Sequence, residues 1–100
     1  MTKYQLERVR QILEHYGEAS QYDIFVEECA EAIQAVQKLK RSDHTNYIKR
    51  TDNLREEVAD VLIIAEQMRR YVGADKVDEI ISEKLDRQIK RIEGERYEAY

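Results

Sequence analysis

Two short acidic strings carry the chemistry open to this chain: Glu27-Glu28-Cys29-Ala30-Glu31 and, 29 residues further on, Glu56-Glu57-Val58-Ala59-Asp60. Carboxylate oxygens are hard donors, and a group of them without His or Cys suits Mg²⁺ or Mn²⁺ rather than zinc. Magnesium usually shares its coordination shell with waters and phosphate oxygens, so a phosphate-bearing substrate is its natural complement. In a chain that is 38% charged, however, an acidic string alone can be a solvated helix face. The direction in which each carboxylate points separates the two cases.

Successive helix residues rotate by about 100°. With Glu28 at zero, the apolar residues of its helix, among them Ile24, Ala35, Leu39, Phe25, Ile33 and Val26, fill an arc from about −40° to +160°. Glu28 lies inside that arc, Glu31 at its edge near −60°, and Glu27 outside it near −100°. The second string repeats the pattern. With Glu57 at zero, Ile64, Met68, Val61, Leu54, Val58 and Leu62 fall within about −40° to +140°, Asp60 sits near −60° and Glu56 near −100°. An ionised carboxylate turned toward apolar surroundings is strongly disfavoured unless it is paired or coordinates a cation. Glu28, Glu31, Glu57 and Asp60 are therefore the expected metal-ligating and catalytic carboxylates, with Glu27 in a supporting role as an orienting group or base.

Positioning them requires two long paired helices, and the 3.6-residue periodicity predicts four helices, at about residues 4–16, 21–41, 52–72 and 76–93. The first ends at Gly17. Ser20 with Asp23 reads as the cap of the second, Thr51 precedes the third, Gly73 closes it, and Gly94 ends the fourth. The tail from Glu95 to Tyr100 has no apolar period and is expected to fray or to pack on a partner. The fold class is all-α, with helical hairpins assembling into a four-helix-bundle core. On the fourth helix Lys84, Gln88 and Arg91 recur at i, i+4 and i+7 in line with Val77 and Ile80, and Arg87 flanks them. These are the candidate phosphate-binding residues. Gln21, at about +20° in the Glu28 frame, points toward the same site and could reach a nucleobase. The basic segment from Lys38 to Arg50 could close as a lid. His15 and His44 have no ligand-like partner, and Cys29 reads as a core thiol.

One hundred residues make one domain with a modest core. A formal net charge of −4 argues against binding a nucleic-acid polymer. The lone Cys29, with no signal peptide and no long apolar run, predicts a soluble cytoplasmic protein that does not engage membranes. The apolar arcs are wider than two neighbouring helices would cover, and Ile63 falls outside its helix's arc. A homodimer or homotetramer is expected, with its ligand between subunits.

Glu27, Glu28 and Glu31, followed by Glu57 and Asp60 on the next long helix, resemble the EExxE and ExxD signature of the MazG-like nucleoside triphosphate pyrophosphohydrolases. Tyr16 to Gln21 resembles the segment before the first motif, with Tyr16 where many relatives have Trp. Lys84 to Arg87 with Arg91 resembles the family's basic final helix, with Gln88 where some relatives have Asn. The resemblance covers roughly residues 15–93. It implies Mg²⁺-dependent hydrolysis of a nucleoside triphosphate between its α and β phosphates, with the metal held by Glu28, Glu31, Glu57 and Asp60. A rival from another class is a non-enzymatic helical interaction or regulatory protein, its acids forming a salt-bridged seam with Lys84 and Arg91. A carboxylate di-iron bundle is disfavoured because no His follows Glu28 or Glu57 at the Glu-x-x-His spacing.

Overall fold

Thr2 starts the first helix. Its hydroxyl accepts the Gln5 N–H at 3.1 Å while the Gln5 side chain accepts the Thr2 N–H at 2.7 Å, a reciprocal cap that satisfies two otherwise orphaned donors. The computed structural model describes residues 1–98. It is all-α: α1 spans Lys3–Tyr16, α2 Glu18–Lys40, α3 Tyr47–Val72 and α4 Ala74–Glu98, with no strand among the described residues.

Gly17 joins α1 to α2 without a loop. Its φ of 87° is open to glycine and strained for other residues. Its N–H donates to the Leu13 carbonyl at 3.1 Å and its own carbonyl accepts from Gln21 N–H at 3.2 Å. Because one residue both ends α1 and begins α2, Ser20 lies within the first turn and does not cap it.

At the other end of α2 the sequence predicts a loop as far as Thr51, but α3 already starts at Tyr47. Residues 43–46 close on themselves: Asn46 Oδ1 accepts the Asp43 N–H at 2.9 Å, Asp43 Oδ1 accepts the Thr45 N–H at 2.8 Å, and Tyr47 N–H reaches the Asp43 carbonyl at 3.1 Å. The helix propagates from that turn. Thr51 sits inside it and donates to the Tyr47 carbonyl at 2.8 Å, the back-bond open to a mid-helix threonine. Arg50 donates to the Lys38 carbonyl at 2.8 Å and ties the two helix ends together, so the basic segment is mostly helix rather than a free lid.

The short turn makes α2 and α3 an antiparallel hairpin, the main packing unit of the chain, in keeping with the expected four-helix-bundle core. Its interior is thin: Val9, Ala35 and Ile64 are the buried apolar residues among those described. Two α3 side chains anchor α1 through its carbonyls, Tyr71 Oη donating to Leu13 at 3.0 Å and Arg70 to Leu6 at 3.3 Å. Arg69 fastens the start of α4 by donating to both carboxylate oxygens of Asp78 at 2.7 and 2.5 Å. Beyond that clasp α4 extends away. The radius of gyration is 17.5 Å, against about 13 Å for a compact chain of this length.

Gly94 does not end α4, which continues through Glu95 to Glu98, while residues 99 and 100 lie outside the described residues. A glycine terminates a helix readily when φ turns positive, which Gly17 and Gly73 do and Gly94 does not. The two later glycines should respond oppositely to alanine. Gly73 has φ 111° with only Lys76 Cβ near, at 4.0 Å, so Gly73→Ala should cost about 1–3 kcal/mol in backbone strain. Gly94→Ala, with open space around it, should stabilise by up to about 1 kcal/mol. Circular-dichroism melts of the two variants check both signs.

Candidate metal centre

Because α2 and α3 run antiparallel, the two acidic strings face each other midway along the hairpin. One carboxylate oxygen from each of Glu28, Glu31 and Glu57 lies within 4.8 Å of the others. Glu28 and Glu57 are half-buried, whereas Glu31, Asp60, Glu27 and Glu56 are exposed. Glu28 Oε2 and Glu57 Oε2 are shielded from solvent and have no hydrogen-bond partner.

This arrangement is electrostatically costly on its own. Burial pushes the Glu28 carboxyl above its ordinary value, and the negative charges of Glu31, Asp60, Glu57 and Glu27 push it further. The Glu57 carboxyl rises for the same first reason, reinforced by Glu31 and Asp60. Among the described residues none of the four central acids takes part in an ion pair. A buried acceptor without a donor is unfavourable unless another species satisfies it. The donor set is all carboxylate, which fits a hard divalent cation.

A cleft of about 390 Å³ opens beside the acids, lined by Glu28 and Asp60 at one end and by Gln21, Ile24, Ile64 and Gln67 along its walls. Ile12 and Tyr16 of α1 contribute to its rim. Gln21 is 4% exposed and Gln67 2% exposed. The family model for the MazG nucleotide pyrophosphohydrolase domain matches residues 17–93. The chain belongs to the MazG family. No curated protein and no solved structure matches it. The MazG match takes in both acidic strings and the basic part of α4 but begins after α1, although α1 lines part of the cleft.

The remaining residues singled out in the sequence are placed differently. Gln21 lines the cleft. Lys84, Arg87, Gln88 and Arg91 are exposed on α4, which packs on α3 and not on α2. Among the described residues these four neither line the cleft nor pair with the acids. The salt-bridged seam between the acids and Lys84 or Arg91 is therefore not formed among the described residues. Tyr16, which stands where many MazG relatives have Trp, is exposed and stacks edge-on against His15 at 4.7 Å.

Gln67 is absent from the sequence-based candidates. It stands two turns after Asp60 on the same stripe, at about −80° in the Glu57 frame and so outside the apolar arc, and its burial in the structure is what singles it out. No described helix is long and apolar enough to cross a membrane.

Proposed function

We propose that this MazG-family chain is a single-domain, magnesium-dependent enzyme that hydrolyses a nucleoside or deoxynucleoside triphosphate between the α and β phosphates, giving the monophosphate and pyrophosphate. The observation that carries this is the pair of shielded, unpartnered oxygens of Glu28 and Glu57 on facing helices, in a family defined by nucleotide pyrophosphohydrolysis.

Glu28, Glu31, Glu57 and Asp60 would hold Mg²⁺, with Mn²⁺ as a substitute. When bound, the ion supplies neutralisation of phosphate charge and acidification of water. Glu28 and Glu57 grip from either helix. Glu31 and Asp60, exposed at the rim, leave the solvent side open for the triphosphate. Glu27, exposed one residue from Glu28, is the free carboxylate that orients the attacking water or takes its proton.

Charge on the pyrophosphate leaving group calls for cations, and Lys84, Arg87 and Arg91, with Gln88 beside them, are the set available on α4. A second copy of the chain delivers them. Support comes from the apolar surface left open: Val26 and Ile33 on α2 are 68% and 63% exposed, Leu62 on α3 57%, and α4 exposes Ile80, Leu85 and Ile89. Closing these faces against a second copy builds a homodimer, or a homotetramer by repetition, and brings Lys84, Arg87 and Arg91 of α4 toward an acidic hairpin. A cytoplasmic nucleotide pool is the natural source of substrate.

A screen of the four dNTPs and four NTPs for pyrophosphate release with Mg²⁺ tests the activity. Stoichiometric monophosphate and pyrophosphate from at least one of them are expected; release of orthophosphate, or no turnover of any, would contradict it. Subunit sharing has its own check. Glu57→Gln and Arg91→Ala should each be inactive alone, and unfolding and reassembling them together should restore activity in the mixed oligomers. Failure of the mixture to regain activity would place the cations in the same chain as the acids they serve.

A further inference from the structure

Gln21 and Gln67 form a second feature of the cleft, separate from the acids. Gln21 lies seven residues before Glu28 on α2, and Gln67 seven residues after Asp60 on α3. Because the helices are antiparallel, both offsets lead toward the same end of the hairpin, about 10 Å along the axis from the carboxylates. That is the span a sugar and a base ring would occupy from a phosphate held at the acids. Both glutamines are buried and both line the cleft. Gln67 Oε1 is fully shielded and accepts no hydrogen bond. An amide acceptor left without a donor destabilises a fold, and because the Gln67 side chain lines the cleft, a small rotation of its amide would bring this acceptor to a donor on a ligand there. The apolar walls, Ile24 and Ile64, suit the faces of a flat heteroaromatic ring. The volume lies in the range of small-molecule sites, where a few placed polar groups fix orientation.

We propose that Gln67, assisted by Gln21 on the opposite wall, is a specificity-determining residue that accepts a hydrogen bond from an N–H on the edge of the nucleobase, setting the base in the cleft while the triphosphate lies at the acids. This rests on the nucleotide reading above and adds to it how the base is recognised. The ligand class follows: a nucleotide whose base presents an unsubstituted amino or imino N–H toward the far end of the cleft. Sites built to hydrogen-bond a substrate group reject analogues that lack it, because the buried protein group is then left unpaired. The phosphate end would be indifferent to the change.

The test pairs a protein variant with a substrate variant. The full-length protein is assayed for pyrophosphate release on the triphosphate it turns over best and on the same triphosphate with its base N–H donor methylated, alongside Gln67→Met and Gln21→Met. The parent should lose roughly 10- to 100-fold in kcat/KM on methylation. Gln67→Met should lose a similar factor on the unmodified substrate and show little further loss on the methylated one. Its melting temperature should not fall, since methionine fills the space without an orphaned oxygen. Gln21→Met should reduce the methylation penalty in the same direction and keeps the comparison available if the first variant folds poorly. Full tolerance of methylation by the parent, or an undiminished penalty in both variants, would overturn the assignment of Gln67 and leave the enzymatic reading standing. No pyrophosphate release from any triphosphate by the parent would overturn both.

Discussion

Replacing Glu57 with Gln is expected to lower kcat/KM for pyrophosphate release by at least about 100-fold, since groups that merely orient a metal ligand are already worth 10- to 100-fold, and at the same time to raise the melting temperature of the metal-free protein at neutral pH. The two effects share one cause. Glu57 Oε2 is shielded and unpartnered, and its charge is opposed by burial and by Glu31 and Asp60. An amide of the same shape removes the repelling charge while keeping the packing, and with it goes a ligand for the cation. Glu28→Gln should behave alike, because Glu28 sits in the same electrostatic position on the facing helix. Glu56→Gln, at an exposed position on the outer side, should change neither property appreciably. Assays of activity and thermal unfolding on the three variants check this. A Glu57→Gln protein that is inactive because it no longer folds would contradict the account as firmly as one that remains fully active.

The second large effect is an inversion of pH dependence by a divalent cation. Folded Glu28 and Glu57 hold their protons above the ordinary glutamate value of 4.5. In the interval between that value and the raised ones, the folded state therefore binds more protons than the unfolded state, and stability falls as pH rises. The contribution of these two groups is thus fully present below about pH 4.5 and is lost as the pH climbs through their raised values. Asp43 and Asp78 carry the opposite sign: their carboxyls are held low by hydrogen bonds from Thr45 and Arg69, so their contribution disappears at low pH. The two sets are separated by subtraction. Metal-free parent minus the Glu28→Gln, Glu57→Gln double variant should show a stability difference that favours the parent increasingly as pH is lowered. Mg²⁺ competes with protons for the same oxygens, so its stabilisation of the parent should grow with pH and be absent from the double variant. A parent whose melting curve is indifferent to Mg²⁺ at every pH would instead match an acidic seam with no metal function.

How much of this was legible beforehand differs from residue to residue, for physical reasons. The inward direction of Glu28 and Glu57 follows from helix rotation alone, because a 100° step is fixed by backbone geometry and each lies within an apolar arc. The same rule does not mark Gln67, which at about −80° in the Glu57 frame lies outside the apolar arc; its burial comes from tertiary packing that helix rotation does not report. The ends of α2 and α3 depended on finer chemistry. Gly17 has a positive φ that fuses two helices, and the side chains of Asp43 and Asn46 close a turn that a propensity pattern reads as loop. Gly94 shows the converse, since glycine can end a helix without being obliged to. The placement of Lys84, Arg87 and Arg91 was the least legible. Periodicity puts Lys84, Gln88 and Arg91 in line with Val77 and Ile80 on one stripe of α4, but such a stripe fits any apolar surface. Only packing decides whether it lies on its own hairpin or, as proposed here, on that of a second copy.

The most direct test of the central claim, that the carboxylates of α2 and α3 form a divalent-cation site, is a calorimetric titration of the metal-free protein with Mn²⁺ at neutral pH. Saturable binding by the parent, and none by the Glu28→Gln, Glu57→Gln double variant of unchanged helicity, is the predicted result. No saturable binding by the parent, or equal binding by the double variant, would contradict it.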